Sequence, residues 1–137
     1  MQELNKETLF KLVEEASKVL KNSYAPYSNI HVASAVLTDT GRVYLGVNVE
    51  NASYGLTICA ERTAITAMIT GGDRKPIAVA VVTDLEEPIP PCGACRQVIA
   101  EFNPEATIIM YSVKTGKYVV KNLRELLPNP FQLEKQL

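Results

Sequence analysis

Apolar positions fall into distinct rhythms along this chain, and each rhythm predicts an element. Between Lys6 and Lys21 the residues Leu9, Leu12, Val13, Ala16, Val19 and Leu20 recur at helical spacing. Asn5 stands where an N-cap belongs. The stretch "SYAPYSN" then interrupts with Pro26 and small polar residues, the composition of a loop. Two strands follow, about Val32 to Thr38 and Arg42 to Val49, joined as a hairpin by "DTG" with its glycine at Gly41. "CAERTAITAMIT" reads as a helix from near Cys59 to the glycine pair Gly71 and Gly72. "PIAVAVVT" is a continuous apolar run, the mark of a strand buried on both faces, and "ATIIMYS" is another buried strand. Between them "CGACRQVIAEF" makes a short helix opened by Pro90 and Pro91. "KTG" turns into a weak strand around Tyr118 to Val120, and "NLRELLP" closes in a short helix stopped by Pro128.

This order predicts an α/β fold of three layers, a mixed five-stranded sheet with helices on both faces. The strand-helix-strand-helix-strand portion in the middle implies right-handed crossovers between parallel strands. No repeat, low-complexity tract or linker divides the sequence, so the expectation is one domain over residues 1–137. A chain of 137 residues suits one compact core.

Charge narrows the choice of partners. The formal net charge of −1 supplies no general field for nucleic acid. Lys114, Lys117 and Lys121 cluster late in the chain, but Glu125 and Glu134 balance them, which reads as a solvated surface. No apolar run is long enough to span a bilayer. "MQELNKETLF" has no basic segment leading into an apolar one, so the expected location is cytoplasmic.

Three cysteines carry the candidate chemistry: Cys59 in "CAERT", and Cys92 and Cys95 in "PPCGACRQV". An odd count without an export signal argues against a disulfide framework. A C-x-x-C redox pair at a strand-to-helix junction stays open, though it leaves Cys59 and Glu61 without a purpose. A structural zinc site needs four closed ligands. The one histidine, His31, lies on a predicted strand well upstream and reads as a surface or half-buried residue. A catalytic zinc site needs three protein ligands and one open position, and three cysteines fit that count. Both cysteine segments sit where helices begin, and helix N-termini stabilise thiolates. Arg62 offers a cation that offsets their charge; alone it reads as an ordinary solvated arginine on a helix face. Glu61 cannot share an ideal helix face with Cys59, yet at a frayed first turn it can lean over the open position as a general base.

At these residues the sequence resembles the zinc nucleobase deaminases, whose signature in its three-cysteine form is C-A-E followed by P-C-x-x-C. "YAPYSN", "GVNVENASYGLTICAERTA", "PCGACRQVIAEF" and "ELLPNPF" extend the resemblance to the small homotetrameric cytidine deaminases, over about Tyr24 to Phe131. The resemblance implies one zinc per subunit on Cys59, Cys92 and Cys95, with Glu61 as the catalytic proton shuttle. It implies hydrolysis of cytidine and 2'-deoxycytidine to the uridine products and ammonia, as in pyrimidine salvage. Asn48 and Glu50 would bind the ribose, which suits an amide and a carboxylate on alternate strand positions. Ile30 and Ala60 would line the base. Phe131 would reach a neighbouring subunit's substrate, Tyr54 would make an inter-subunit contact, and Gln97 would support the site from behind. A homotetramer with shared active sites follows.

Two departures bear on the substrate. Ile30 stands where the family usually has phenylalanine, and "VASA" (Val32 to Ala35) replaces the usual "VGAA". "VASA" also resembles blasticidin S deaminase, the alternative reading, whereas "NVENASYG" and Arg62 follow the cytidine pattern. No glycine-rich phosphate loop opens a helix, which favours a free nucleoside. A sealed zinc module and a deaminase of single-stranded nucleic acid are rivals of other classes; the latter would need a basic groove.

Overall fold

In the computed structural model, which describes residues 4–133, the first helix covers Lys6–Val19 (α1). The Asn5 side chain accepts a hydrogen bond from the Thr8 backbone N–H at 2.9 Å, so the expected cap forms. A single 3-10 turn, Leu20–Asn22, ends the element. The hairpin strands are Val32–Thr38 (β1) and Val43–Val47 (β2). Helix α2 spans Ala60–Thr70, strand β3 Pro76–Thr83, helix α3 Gly93–Phe102 and strand β4 Thr107–Ser112. Strand β5 (Tyr118–Asn122) and helix α4 (Leu123–Leu126) close the described chain.

The five strands form one sheet in the order β2-β1-β3-β4-β5. β1 runs antiparallel to both β2 and β3, while β3 and β4 pair in parallel. The three strands of the central crossover portion therefore run the same way, with β1 threaded between β2 and β3. Only β3 and β4 are parallel neighbours, because the tight hairpin keeps β1 beside β2.

Alternation along the strands divides the core in two. Ala33, Ala35 and Leu37 of β1 and Ala78, Ala80 and Val82 of β3 face Leu9, Leu12, Val13 and Ala16 of α1. Val36, Val79, Val81, Ile108 and Met110 point the other way, against Ala64, Ile65 and Met68 of α2, Ile99 of α3 and Leu123 of α4. Both faces are thus covered, which explains why β3 has no exposed position. Among the described residues, no helix is long and apolar enough to cross a membrane.

One close approach fixes where α2 begins. A Cβ on Gly46 of β2 would lie 2.5 Å from Ala60 O and 2.5 Å from Ala64 N. Only a residue without a side chain lets the first turn of α2 rest directly on the strand.

β2 is shorter than the apolar pattern predicts. It stops at Val47, and Val49 makes only isolated bridges to Tyr24 and Ile58. Asn48 and Glu50 therefore lie past the strand end. His31 sits just before β1 instead of on a strand.

Candidate active site and metal centre

Both cysteine segments stand at the point where a helix begins. Cys59 is the residue before α2, with extended backbone (φ −73°, ψ 153°), and Cys92 the residue before α3 (φ −65°, ψ 168°). Because Cys59 lies outside the helix, the face argument that separates it from Glu61 does not apply, and no fraying is needed. Cys92 Sγ accepts the Cys95 backbone N–H at 3.4 Å, which folds the second pair onto one side of the turn.

The three sulfurs converge. Cys59 Sγ lies 3.8 Å from Cys92 Sγ, which lies 3.4 Å from Cys95 Sγ, and all three fall within 4.8 Å of one another. A tetrahedral zinc with bonds of about 2.3 Å spaces its sulfurs about 3.8 Å apart, so the donor set fits the ion. All three are free thiols. A pairwise redox motif does not account for Cys59 in the cluster. Among the described residues the metal-ligating group is these three cysteines, which leaves one tetrahedral position for solvent or substrate.

Arg62 lies against the sulfurs. Its Nη2 is 3.8 Å from Cys59 Sγ and donates to Thr57 O at 3.3 Å. Its buried Nε has no hydrogen-bond partner among the described residues. A buried guanidinium nitrogen without a partner is costly unless negative charge faces it, and a thiolate cluster supplies that charge. Among the thiols, the hydrogen bond from Cys95 holds Cys59 down to about 5, with Arg62 adding to the effect. The same bond pushes Cys95 up, so the pair gives up one proton far more readily than the second.

Glu61 opens the first turn of α2 and is 4% exposed. Burial raises its carboxyl to about 7, with the Cys59 charge acting in the same direction. A carboxyl poised near neutrality can both take and return a proton.

Glu61 lines a cleft of about 270 Å³ with Cys59, Ala60 and Cys92 at its base. Ile30 and Val32 form an apolar wall, and Asn48 and Glu50 form the polar side. Glu50 is held by the loop before β1: its Oε1 accepts from the Tyr27 and Ser28 backbones at 3.0 and 3.1 Å, and its Oε2 accepts from the Ser28 hydroxyl. The Ser28 hydroxyl, followed by the Ser28 backbone N–H, keeps this carboxylate below its usual range. An adjoining cleft of about 380 Å³ shares Ser28, Glu50 and Thr57 and adds Tyr27 and Tyr54. It is larger but contains no metal ligand, so the chemistry belongs to the smaller one.

The chain thus brings together Cys59, Cys92, Cys95, Glu61, Arg62, Asn48, Glu50, Ala60 and Ile30. Tyr54 is 75% exposed and packs edge-on to Tyr27, outside the metal cleft. Phe131 is 62% exposed and does not line the cleft of its own chain. Gln97 Nε2 donates to Phe131 O at 2.9 Å, which ties α3 to the C-terminal segment. Ser28 is a site residue that sequence reasoning missed; a lone serine in a polar loop carries no spacing signal. The late lysines are neutralised locally, with Lys114 3.8 Å from Glu86, Lys117 2.7 Å from Glu87 and Lys121 3.8 Å from Glu125. Glu134, expected to balance them, lies outside the described residues.

Residues 6–111 match the model of the cytidine and deoxycytidylate deaminase zinc-binding region. The chain is 46% identical over 123 residues to a cytidine deaminase of Halalkalibacterium halodurans, covering 90% of this chain and 93% of that one. It is 43% identical over 125 residues to a cytidine deaminase of Sporosarcina psychrophila, covering 90% and 91%. Among solved structures, a cytidine deaminase from Burkholderia pseudomallei superposes with a TM-score of 0.84 at 41% identity, covering 93% of this chain and all of the other.

Proposed function

The chain belongs to the cytidine and deoxycytidylate deaminase family, and from that premise we infer that it hydrolyses cytidine and 2'-deoxycytidine to uridine, 2'-deoxyuridine and ammonia. The observation that carries this reading is the meeting of three sulfurs at two helix starts with a buried carboxyl facing the same cleft. Cys59, Cys92 and Cys95 would hold a zinc ion, which would supply Lewis acidity toward the attacking water. Glu61 accepts the first proton of that water and hands it to ring N3, which makes C4 electrophilic; the hydroxide oxygen adds to C4, Glu61 takes the second proton from the new C4 hydroxyl and passes it to the amine, and the C4–N bond breaks to release ammonia. One water is consumed and one ammonia released. The α2 and α3 N-termini and Arg62 offset the charge of the thiolates. Ile30 and Ala60 confine the base, while Asn48 and Glu50 hold the ribose.

The blasticidin S alternative is not favoured, since the relatives at 46% and 43% identity are both cytidine deaminases. The finer reading is one deaminase domain over the whole chain, located in the cytoplasm and acting without nucleic acid or membrane. The chain assembles as a homotetramer, and exposed Phe131 and Tyr54 serve neighbouring subunits; their exposure in the single chain supports this. The direct test is purified zinc-loaded protein offered cytidine, deoxycytidine, cytidine monophosphate and blasticidin S. Ammonia release from the two free nucleosides is the expected result. Turnover of blasticidin S alone would refute the assignment.

A further inference from the structure

Asn48 occupies the polar side of the cleft, and the way its amide is held is set by two residues that the deaminase signature does not contain. Val32 N–H donates to Asn48 Oδ1 at 3.0 Å, and Asn48 Nδ2 donates to Ile30 O at 2.8 Å. These two backbone groups, one donor and one acceptor, fix which end of the amide is oxygen. The Ser23 hydroxyl also reaches Oδ1, an atom that only accepts, so Ser23 is the donor. That bond uses the one proton of the hydroxyl. His31 Nδ1 lies 3.0 Å from Ser23 Oγ, and with the serine proton spent, Nδ1 must carry its own hydrogen and donate.

We propose that Ser23 and His31 are positioning residues for the nucleoside: a directed relay, His31 Nδ1–H to Ser23 Oγ–H to Asn48 Oδ1, presents Asn48 to the sugar as a donor only. Among the described residues, one hydrogen of Asn48 Nδ2 has no partner, and Asn48 lines the cleft. Both lone-pair directions of Oδ1 are taken, by Val32 and Ser23. The amide therefore offers a ribose hydroxyl a hydrogen, while the neighbouring Glu50 carboxylate offers it an acceptor. The imidazole is well placed for this task because its own backbone is tied down. His31 N donates to Asp84 Oδ1 at 3.3 Å, and His31 O accepts from Thr83 Oγ1 at 3.2 Å. A short hydrogen-bonded chain of this kind polarises its terminal amide and holds one rotamer.

The inference rests on the deaminase reading, and substrates that differ only in the sugar separate the two. With cytidine, Ser23→Ala should raise KM about threefold to tenfold with little change in kcat, the effect of one lost hydrogen bond. With 2',3'-dideoxycytidine, which lacks the 2' and 3' hydroxyls and keeps only the 5' one, the same variant should leave kcat/KM unchanged. Ser23→Thr keeps the hydroxyl and should keep the KM for cytidine, which covers the case in which Ser23→Ala folds poorly. His31→Leu should move KM in the same direction, and His31→Asn, whose amide N–H can replace Nδ1–H, should restore it. The chain has one histidine, so its ring nitrogens are assigned without ambiguity by ¹⁵N NMR. The wild type should show a protonated Nδ1. A bare Nδ1, or an equal loss for both nucleosides in Ser23→Ala, overturns the relay. Failure of the deaminase reading shows separately, as no turnover of either nucleoside by the wild type, and leaves the nitrogen signals to decide the relay.

Discussion

Glu61 is one of few ionisable side chains sealed inside this molecule, and burial there serves proton transfer more than stability. Glu61→Gln keeps the shape and the hydrogen-bonding capacity of the side chain while removing its ability to exchange a proton. Turnover should fall by roughly 10²–10⁴, while zinc content, measured by atomic absorption, stays near one per chain. Near-normal turnover in that variant would remove the assigned role. Arg62 invites a second measurement. Its guanidinium stands 3.8 Å from Cys59 Sγ with an unpartnered buried Nε. Arg62→Gln should make zinc easier to strip, read as faster release to a competing chelator, because the sulfur cluster loses its nearest cation.

Gly46 shows how an element places a site residue. The first turn of α2 rests on β2 where a side chain would intrude, and that turn carries Ala60 and Glu61 directly after Cys59. Gly46→Ala should cost about 1–3 kcal/mol in chemical denaturation, and should impair turnover as well, since the helix start must shift. The other end of α2 is held by Asp73, which accepts from Tyr44 OH at 2.7 Å and Thr40 Oγ1 at 3.0 Å. The Tyr44 hydroxyl, with Thr40 and Arg42, holds this carboxyl below its usual range. A depressed folded value adds stability above the unfolded carboxylate range, and that stability is lost as pH falls through the folded value. Asp73→Asn should therefore lower unfolding stability at pH 7, and the gap to wild type should close under acid conditions. Much of this architecture was readable beforehand. The unbroken apolar runs announced β3 and β4, and the helical spacing of Leu9, Leu12, Val13 and Ala16 announced α1, because burial on given faces dictates those patterns. The insertion of β1 between β2 and β3 was not readable, since strand order is a long-range choice that local pattern leaves open. Cys59, Cys92, Cys95 and Glu61 were legible from spacing. Ser23 and Ser28 were not, because their roles depend on a loop folding back onto Asn48 and Glu50. The tie from Gln97 to Phe131 was not legible either, because the position of a residue after a cysteine pair does not say which distant segment lies across from it.

Assembly is the next level of order. Tyr24, Tyr27, Tyr54, Leu56, Ile58 and Phe131 are all exposed in the single chain, and large apolar side chains left in water mark surfaces that a partner can cover. Sedimentation should return about four times the 15.0 kDa chain mass, and Phe131→Ala should weaken cytidine turnover. A monomer with full activity would contradict the shared-site reading. The placing of the cysteines at two separate helix starts has a thermodynamic consequence too. Cys59 and Cys92 are 33 positions apart, with α2 and β3 between them. An ion bridging them acts as a removable cross-link, and closing a loop of that length restricts the unfolded chain by roughly 3–4 kcal/mol. Chelation should thus lower the melting temperature along with the activity, so that the enzyme's lifespan in a zinc-poor medium is limited by unravelling as much as by lost turnover.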